Sequence, residues 1–307
     1  MIKLPTEEDV LSYRTMLSNA GRWGPDDELG TLNLITPDKR LASVALVRHG
    51  LTVSCAAQIE KNARPPDLAY PPVHFMIRSG ESRSPLRPGA VEYFGLVFHG
   101  VTITHVDALG HSIDDGAVYG HRDAAVITGE LGATELSVDA MRDGIVTRGV
   151  LLDVAGMTER EYLEPGEAVG PETLEATEQH EGVRIGSGDA LLLRTGWWKR
   201  RHDLGPAPDR ARPGLHAAAL PWLRERGVAV VAADAANDVV PSGYPNLEQP
   251  IHDIGQVTMG LCLLDACDFD RLAEVCRRER RYEFLFIVAP LRIQYGTGSP
   301  VNPIAVL

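Results

Sequence analysis

The segment HGVTITHVDALGH, His99 to His111, places three histidines and one aspartate within thirteen positions. Imidazole nitrogens suit zinc, and an added carboxylate keeps manganese in play. Histidine is also the natural general base near neutral pH, so one residue type can serve as ligand and as proton carrier. Taken singly, each residue has a plainer reading. A strand histidine is commonly a satisfied, half-buried side chain, and Asp107 can cap a turn. Together they point to a metal site, because a buried cluster without a cation leaves several polar groups to satisfy.

Positioning these groups requires a strand and a turn. VEYFGLVFHGVTITHVDALGH alternates β-branched and aromatic residues over its first two-thirds, which reads as a strand. Side chains two apart share a face, so His99, Val101, Ile103 and His105 align and Asp107 joins them. Gly110 permits a turn that returns His111 to the same place. The rest of the chain reads as mixed α/β. RGVLLDVAG, GDALLLRTGWW, VAVVAAD and YEFLFIVAPLRI are strands, as is LTVSCAAQ. LASVALVRHG, GPETLEATEQHEG, GLHAAALPWLRERG and DFDRLAEVCRRERR are helices, the third closed by Gly227. IHDIGQVTMGLCLLD is a mixed segment. Strands and helices do not strictly alternate and no linker stands out. The expectation is a single domain over residues 1–307 with a mixed β-sheet. Asn62 to Pro88 is rich in proline and glycine and reads as a long ordered loop.

Bulk properties narrow the function. At 307 residues and 44% hydrophobic content, the chain can bury a sizeable core. The formal net charge of -12 disfavours nucleic acid and anionic membranes as partners. Four cysteines without a CxxC pair argue against a disulfide framework. MIKLPTEEDVLSYR lacks the features of a secretory signal, and the apolar runs are too short to span a bilayer. A soluble, cytoplasmic protein acting on a small molecule is expected. No GxSxG elbow, GxGxxG strand turn or GK[ST] motif appears, which removes the common serine-hydrolase, nicotinamide and P-loop readings.

THVDALGH resembles the signature of the cyclase family of metal-dependent hydrolases, which includes bacterial kynurenine formamidase and isatin hydrolase. Thr104, His105, Asp107 and His111 carry the match. GRWGPDDELGTLN, PGLHAAALPWLRERGVAVVAAD and EFLFIVAPLRIQYGTGSPVNPIA resemble further family segments in the right order. The resemblance implies a swivelling β/β/α fold, assembly as a homodimer or homotetramer, and zinc or manganese as cofactor. It implies hydrolysis of an amide-type C–N bond, in an aryl formamide or cyclic amide. His105 and Asp107 would be ligands and His111 the acid/base residue. His252, in QPIHDIGQVTMG, resembles the family's later metal-binding histidine. Asp265, in LCLLDACDFD, lies where many relatives carry glutamate; its shorter side chain favours one metal over two. The family's first ligand, four places before the second, is Val101 here. His99 keeps the strand parity but would sit about 7 Å further along the strand, as a ligand if the strand is bulged and otherwise as a substrate contact.

Trp23, Tyr70, His74 and Phe75 are candidates to line a substrate pocket, or packing residues that pin their loops. Asp234 and Asp238 follow a strand and read as turn and cap formers, with Asp234 in reach of His252. GTGSP reads as a tight turn. On the same scaffold, lactone hydrolysis, dehydration or ring closure stands as the alternative reaction, and non-catalytic binding as a third reading.

Overall fold

The computed structural model describes residues 4–61, 70–81 and 89–307. Its main sheet has nine strands. In chain order these are β1 (Thr52–Ser54), β2 (His105–Asp107), β3 (Ile145–Asp153), β4 (Ala190–Arg194), β5 (Val230–Ala233), β6 (Cys262–Asp265), β7 (Glu283–Val288), β8 (Gly298–Pro300) and β9 (Ile304–Val306). Across the sheet the order is β1-β9-β7-β3-β4-β5-β6-β2-β8. The four central strands, β3 to β6, are parallel. The strands on either side pair antiparallel. This is the mixed α/β sheet that the strand and helix pattern predicts.

The central strands read as unbroken apolar runs because both of their faces are covered. Leu151, Leu192, Val230 and Leu264 pack on one face with Phe284, Phe286 and the Leu272 and Cys276 side chains of helix Asp270–Glu279. Val150, Leu191, Leu193, Val231 and Leu263 pack on the other. Leu174 of helix Pro171–Glu181 and Leu220 and Leu223 of helix Ala219–Arg226 cover that side. Each fully buried leucine contributes about 1.5–3 kcal/mol relative to an exposed one. Pro171 opens its helix at the first turn, where its missing N–H costs nothing, and Gly182 closes it with φ 67. All four cysteines are buried and unpaired. Among the described residues, no helix is long and apolar enough to cross a membrane.

Several local expectations are corrected. The helix read over LASVALVRHG, with Pro37 near its first turn, does start at Pro37, where Thr36 caps it by accepting the Lys39 N–H at 3.2 Å, but it ends at Val44. The stretch from Val91 to His105 is not one strand. Val91–Gly95 forms an exposed hairpin with Val73–Arg78, and the chain then leaves β structure until His105. Gly95 ends the pairing, and Gly100, at φ 142, takes a backbone turn that other residues disfavour. The expected loop from Asn62 to Pro88 thus contains a strand; residues 62–69 and 82–88 lie outside the described residues. GTGSP supplies a strand rather than a turn: Gly298–Pro300 pairs antiparallel with β2 at the sheet edge, where a proline removes no needed hydrogen bond.

Candidate metal centre

β2 lies between β6 and β8 with Asp265 opposite His105, and Leu263 and Gly298 opposite Asp107. Residues two apart share a face and opposed residues share it too, so His105, Asp107 and Asp265 emerge together. They do so at the carboxyl end of the parallel strands, where open α/β sheets place their ligands. Three further histidines arrive from outside the sheet. His252 comes from a wide helical turn, Ile251–Gln256, a geometry frequent at functional sites. His111 follows Gly110 just beyond β2. His99 comes from the segment before β2.

Asp107 is the hub. It is fully buried, and neither carboxylate oxygen has an aligned hydrogen-bond donor. His99 Nδ1 lies 3.0 Å from its Oδ1, His105 Nε2 3.4 Å and His111 Nε2 3.9 Å. His252 Nε2 lies 3.6 Å from its Oδ2 and 3.2 Å from Asp265 Oδ2. His99 Nδ1, also buried and only 3.0 Å from Oδ1, is not aligned to donate to it. Two groups of potential ligand atoms, His99–Asp107–His111 and His105–Asp107–Asp265, therefore share this carboxylate, each within 4.8 Å.

The outer atoms fix how the rings present themselves. His105 Nδ1 faces the Ile103 carbonyl at 2.7 Å, so it carries the proton and Nε2 turns a lone pair inward. His252 Nδ1 is held by Asp238 Oδ2 at 2.5 Å, which turns Nε2 into the cluster, where it meets Asp265 Oδ2 at 3.2 Å. A carboxylate behind an imidazole is the arrangement that orients metal-ligating histidines and raises their basicity. Asp265 Oδ1 accepts from the Asn237 backbone N at 3.0 Å and side-chain amide at 2.6 Å, leaving Oδ2 for the interior. His99 Nε2 meets Thr297 Oγ1 at 3.1 Å, which turns Nδ1 toward Asp107.

Burial raises the Asp107 pKa, but His111 and His105, with His252 and His99, hold it well below the usual carboxylate range. Burial likewise opposes ionisation of Asp265, and His252 overcomes it to lower its pKa. His111 is pushed down to about 4, first by burial and then by the neighbouring His99, His252 and His105, against the pull of Asp107. Its ring stacks flat on His99, 3.8 Å between centroids and 7° between planes. Burial lowers the His252 pKa, but Asp265, Asp107 and Asp238 hold it well above the ordinary imidazole value. The result is a pair of ionised, buried carboxylates around His252, whose Nε2 proton a cation would replace, and a neutral, half-buried His111. Such a donor set fits a divalent cation, which would satisfy the orphaned Asp107 oxygens and the buried negative charge together.

A cavity of about 250 Å³ opens beside the cluster. His99, Val101, Tyr70 and Trp197 help to line it. Among the candidate pocket residues, Tyr70 alone is on its wall. Trp23 is covered by the Arg22 guanidinium at 4.8 Å. His74 pairs with Glu92 at 2.5 Å, and Phe75 stacks on Tyr93, both across the exposed hairpin. These three are not among the lining residues; for His74 and Phe75 the reason is that their strand pairs away from the sheet.

His99 reaches Asp107 without the strand parity expected of it. The route is the non-strand segment around Gly100, and close packing keeps it in place. A Cβ on Gly298 would sit 2.6 Å from the Val106 carbonyl oxygen and 2.9 Å from His99 Cε1. Asp238, rather than Asp234, backs His252. Asp234 instead accepts the backbone N–H groups of Thr195, Gly196 and Trp197 and the Thr195 hydroxyl, and so anchors the start of helix Trp197–Leu204. Asp238 lies fourteen residues before His252, and only an aspartate at a strand exit hinted at it.

Residues 50–237 match the family model described as "Putative cyclase". A crystal structure described as a novel cyclase shares 31% identity, over 96% of this chain and 99% of that one, with a TM-score of 0.86. Isatin hydrolase A from Labrenzia aggregata, bound to benzyl benzoate, shares 22% identity over 88% and 98% of the two chains, TM-score 0.60. An isatin hydrolase bound to the product analogue thioisatinate shares 20% over 89% and 99%, TM-score 0.61. No curated protein matches the sequence.

Proposed function

Since the chain belongs to the cyclase family, we propose that it is a metal-dependent hydrolase that cleaves an amide-type C–N bond in a small molecule, an aryl formamide or a cyclic amide. The observation that carries this reading is Asp107: a fully buried carboxylate with no aligned donor on either oxygen, at the meeting point of four imidazoles. His105, Asp107, His252 and Asp265 would hold the cation, with His99 as a further ligand from its own side of Asp107. Nitrogen and oxygen donors in this mixture suit zinc or manganese. When bound, such an ion supplies Lewis-acid polarisation of a carbonyl and acidifies water near neutral pH. The two isatin hydrolases that share the fold favour the amide class.

The chain's own part is proton management and exclusion of solvent. His111 is neutral over the physiological range, so its ring can take a proton from water and return it to the departing nitrogen. Stacking on His99 fixes the plane of that ring. Asp238 faces His252 Nδ1 and Asp265 faces its Nε2, so both ring nitrogens of His252 are engaged and His111 is left as the base. The hydrolysis of formanilides and of isatin-type cyclic amides, followed by absorbance, tests the proposal. Wild type loaded with zinc or manganese should turn over at least one class, and a chelator should stop it. His111→Ala should keep its metal and lose turnover. Turnover unaffected by metal removal, or a fully active His111→Ala enzyme, would overturn the mechanism.

A further inference from the structure

Arg212 is 5% exposed and lines the same cavity as His99. Its main chain is pinned: the N–H donates to the Val240 carbonyl at 3.0 Å, and the Val240 N–H returns the bond at 3.0 Å. The guanidinium is not comparably satisfied. Nη1 donates to the Arg210 carbonyl at a long 3.3 Å, and Nε has no partner. Among the described residues, no carboxylate stands at ion-pair distance from it. The carboxylates of Asp238, Asp265 and Glu248 attract it only from beyond contact.

Arg194 shows what the fold does with a buried guanidinium that serves structure. It is paired with Asp153 at 2.7 Å and Asp270 at 2.8 Å. Among the described residues Arg200 also has no carboxylate at ion-pair distance, its Nη1 donating to the Gly205 carbonyl at 3.1 Å, but it is not among the residues that line the cavity. Burying a guanidinium without a counter-ion is costly, and the cost persists only where something offsets it. At Arg212 the open side is the cavity. That cavity is walled by the aromatic rings of Tyr70 and Trp197 and by the aliphatic Val97 and Val101. A planar ring fits between such walls, and a guanidinium fork matches a carboxylate with two parallel hydrogen bonds.

We propose that Arg212 recognises a carboxylate on the substrate, so that the substrate class is an aromatic amide bearing an acid group, with the scissile bond toward His99 and the acid toward Arg212. The proposal rests on the amide-hydrolase reading for the bond that is cut, but not for the group that is held. Arg212 is then a specificity residue, and its removal should separate charged from neutral ligands.

Calorimetric titration of the metal-loaded protein with benzoate and with the uncharged benzamide tests this directly. Arg212→Gln should bind benzoate at least about tenfold more weakly than wild type, as expected for loss of a charge-assisted hydrogen bond, with benzamide affinity unchanged. Arg212→Lys, which keeps the charge and the buried stem, should fall between the two; it carries the test if the glutamine variant does not fold. Metal content is measured in each sample, so that carboxylate binding to the ion is common to all. Equal benzoate affinity in the three proteins would overturn the proposal, as would a parallel loss for benzamide. Binding is read rather than turnover. An Arg212-dependent benzoate affinity in a protein that cleaves no amide would therefore reject the reaction assignment and leave the carboxylate site standing.

Discussion

Replacing Asp238 by asparagine isolates what lies behind the metal-facing histidine. Asp238 Oδ2 sits 2.5 Å from His252 Nδ1 and 3.2 Å from the His252 backbone N, while Oδ1 accepts from the Ile251 backbone N at 2.7 Å. Asparagine keeps one oxygen for these donors and turns an NH₂ toward the others. The His252 ring thereby loses a charged acceptor, its fixed tautomer and its fixed plane. Partners of this kind are worth about 10–100-fold in metal affinity, or roughly 1.4–2.7 kcal/mol. Competition against a chromogenic chelator with zinc and then manganese reads that loss directly. Asp234→Asn is the matched control. It removes a buried carboxylate of equal size four residues away that contacts the start of a helix and none of the cluster. It should lower Tm and leave metal affinity within about twofold. An Asp238→Asn protein that binds metal as wild type does, or an equal loss in Asp234→Asn, would refute the assignment of His252 and its backing carboxylate.

Two further outcomes follow from packing and from buried charge. Gly298→Ala should destabilise the protein by about 1–3 kcal/mol and weaken metal binding. Its Cβ would meet the Val106 carbonyl oxygen, which cannot move without breaking β2, and then His99; unchanged Tm and metal affinity would show that the close approach is not needed. Burial pushes Glu181 up from its ordinary 4.5 to about 9, with Asp153 adding to the shift and the Asp153 N–H opposing it. Between those two values the folded state holds a proton that the unfolded chain releases. This group's contribution to stability is therefore full below pH 4.5 and falls as pH rises toward 9, by up to about 1.4 kcal/mol per unit. Glu181→Gln should flatten that decline in thermal melts from pH 5 to 8, and parallel curves for the two proteins would sink the reading.

The sequence carried the architecture well where one residue's local preference agreed with its burial. Pro171 and Gly182 bracket a helix, and ALLL and VVAA are apolar because both faces are covered. It also set His105 and Asp107 on one face by strand period, whereas Asp265 and His252 were legible only through the family resemblance, because the pairing that sets Asp265 opposite His105 is tertiary. What it concealed depends on tertiary contact. The alternation in VEYFG signals a strand, but nothing local says that this strand pairs in a separate hairpin. His99 reaches Asp107 through the turn at Gly100, which a parity count cannot anticipate. Gly298–Pro300 has no strand propensity and becomes one only because β2 offers it an edge. Asp238 and Arg212 look like ordinary charged residues until their neighbours are known: one has a histidine in contact, and the other has no carboxylate at ion-pair distance among the described residues.

Metal stoichiometry in wild type and in Asp107→Ala, measured by elemental analysis after loading with zinc or manganese and desalting, bears most directly on the central claim. One tightly held equivalent should appear in wild type and be lost in Asp107→Ala, with circular dichroism showing both chains folded. A folded wild type that retains no metal, or an Asp107→Ala protein that retains as much, would contradict the account.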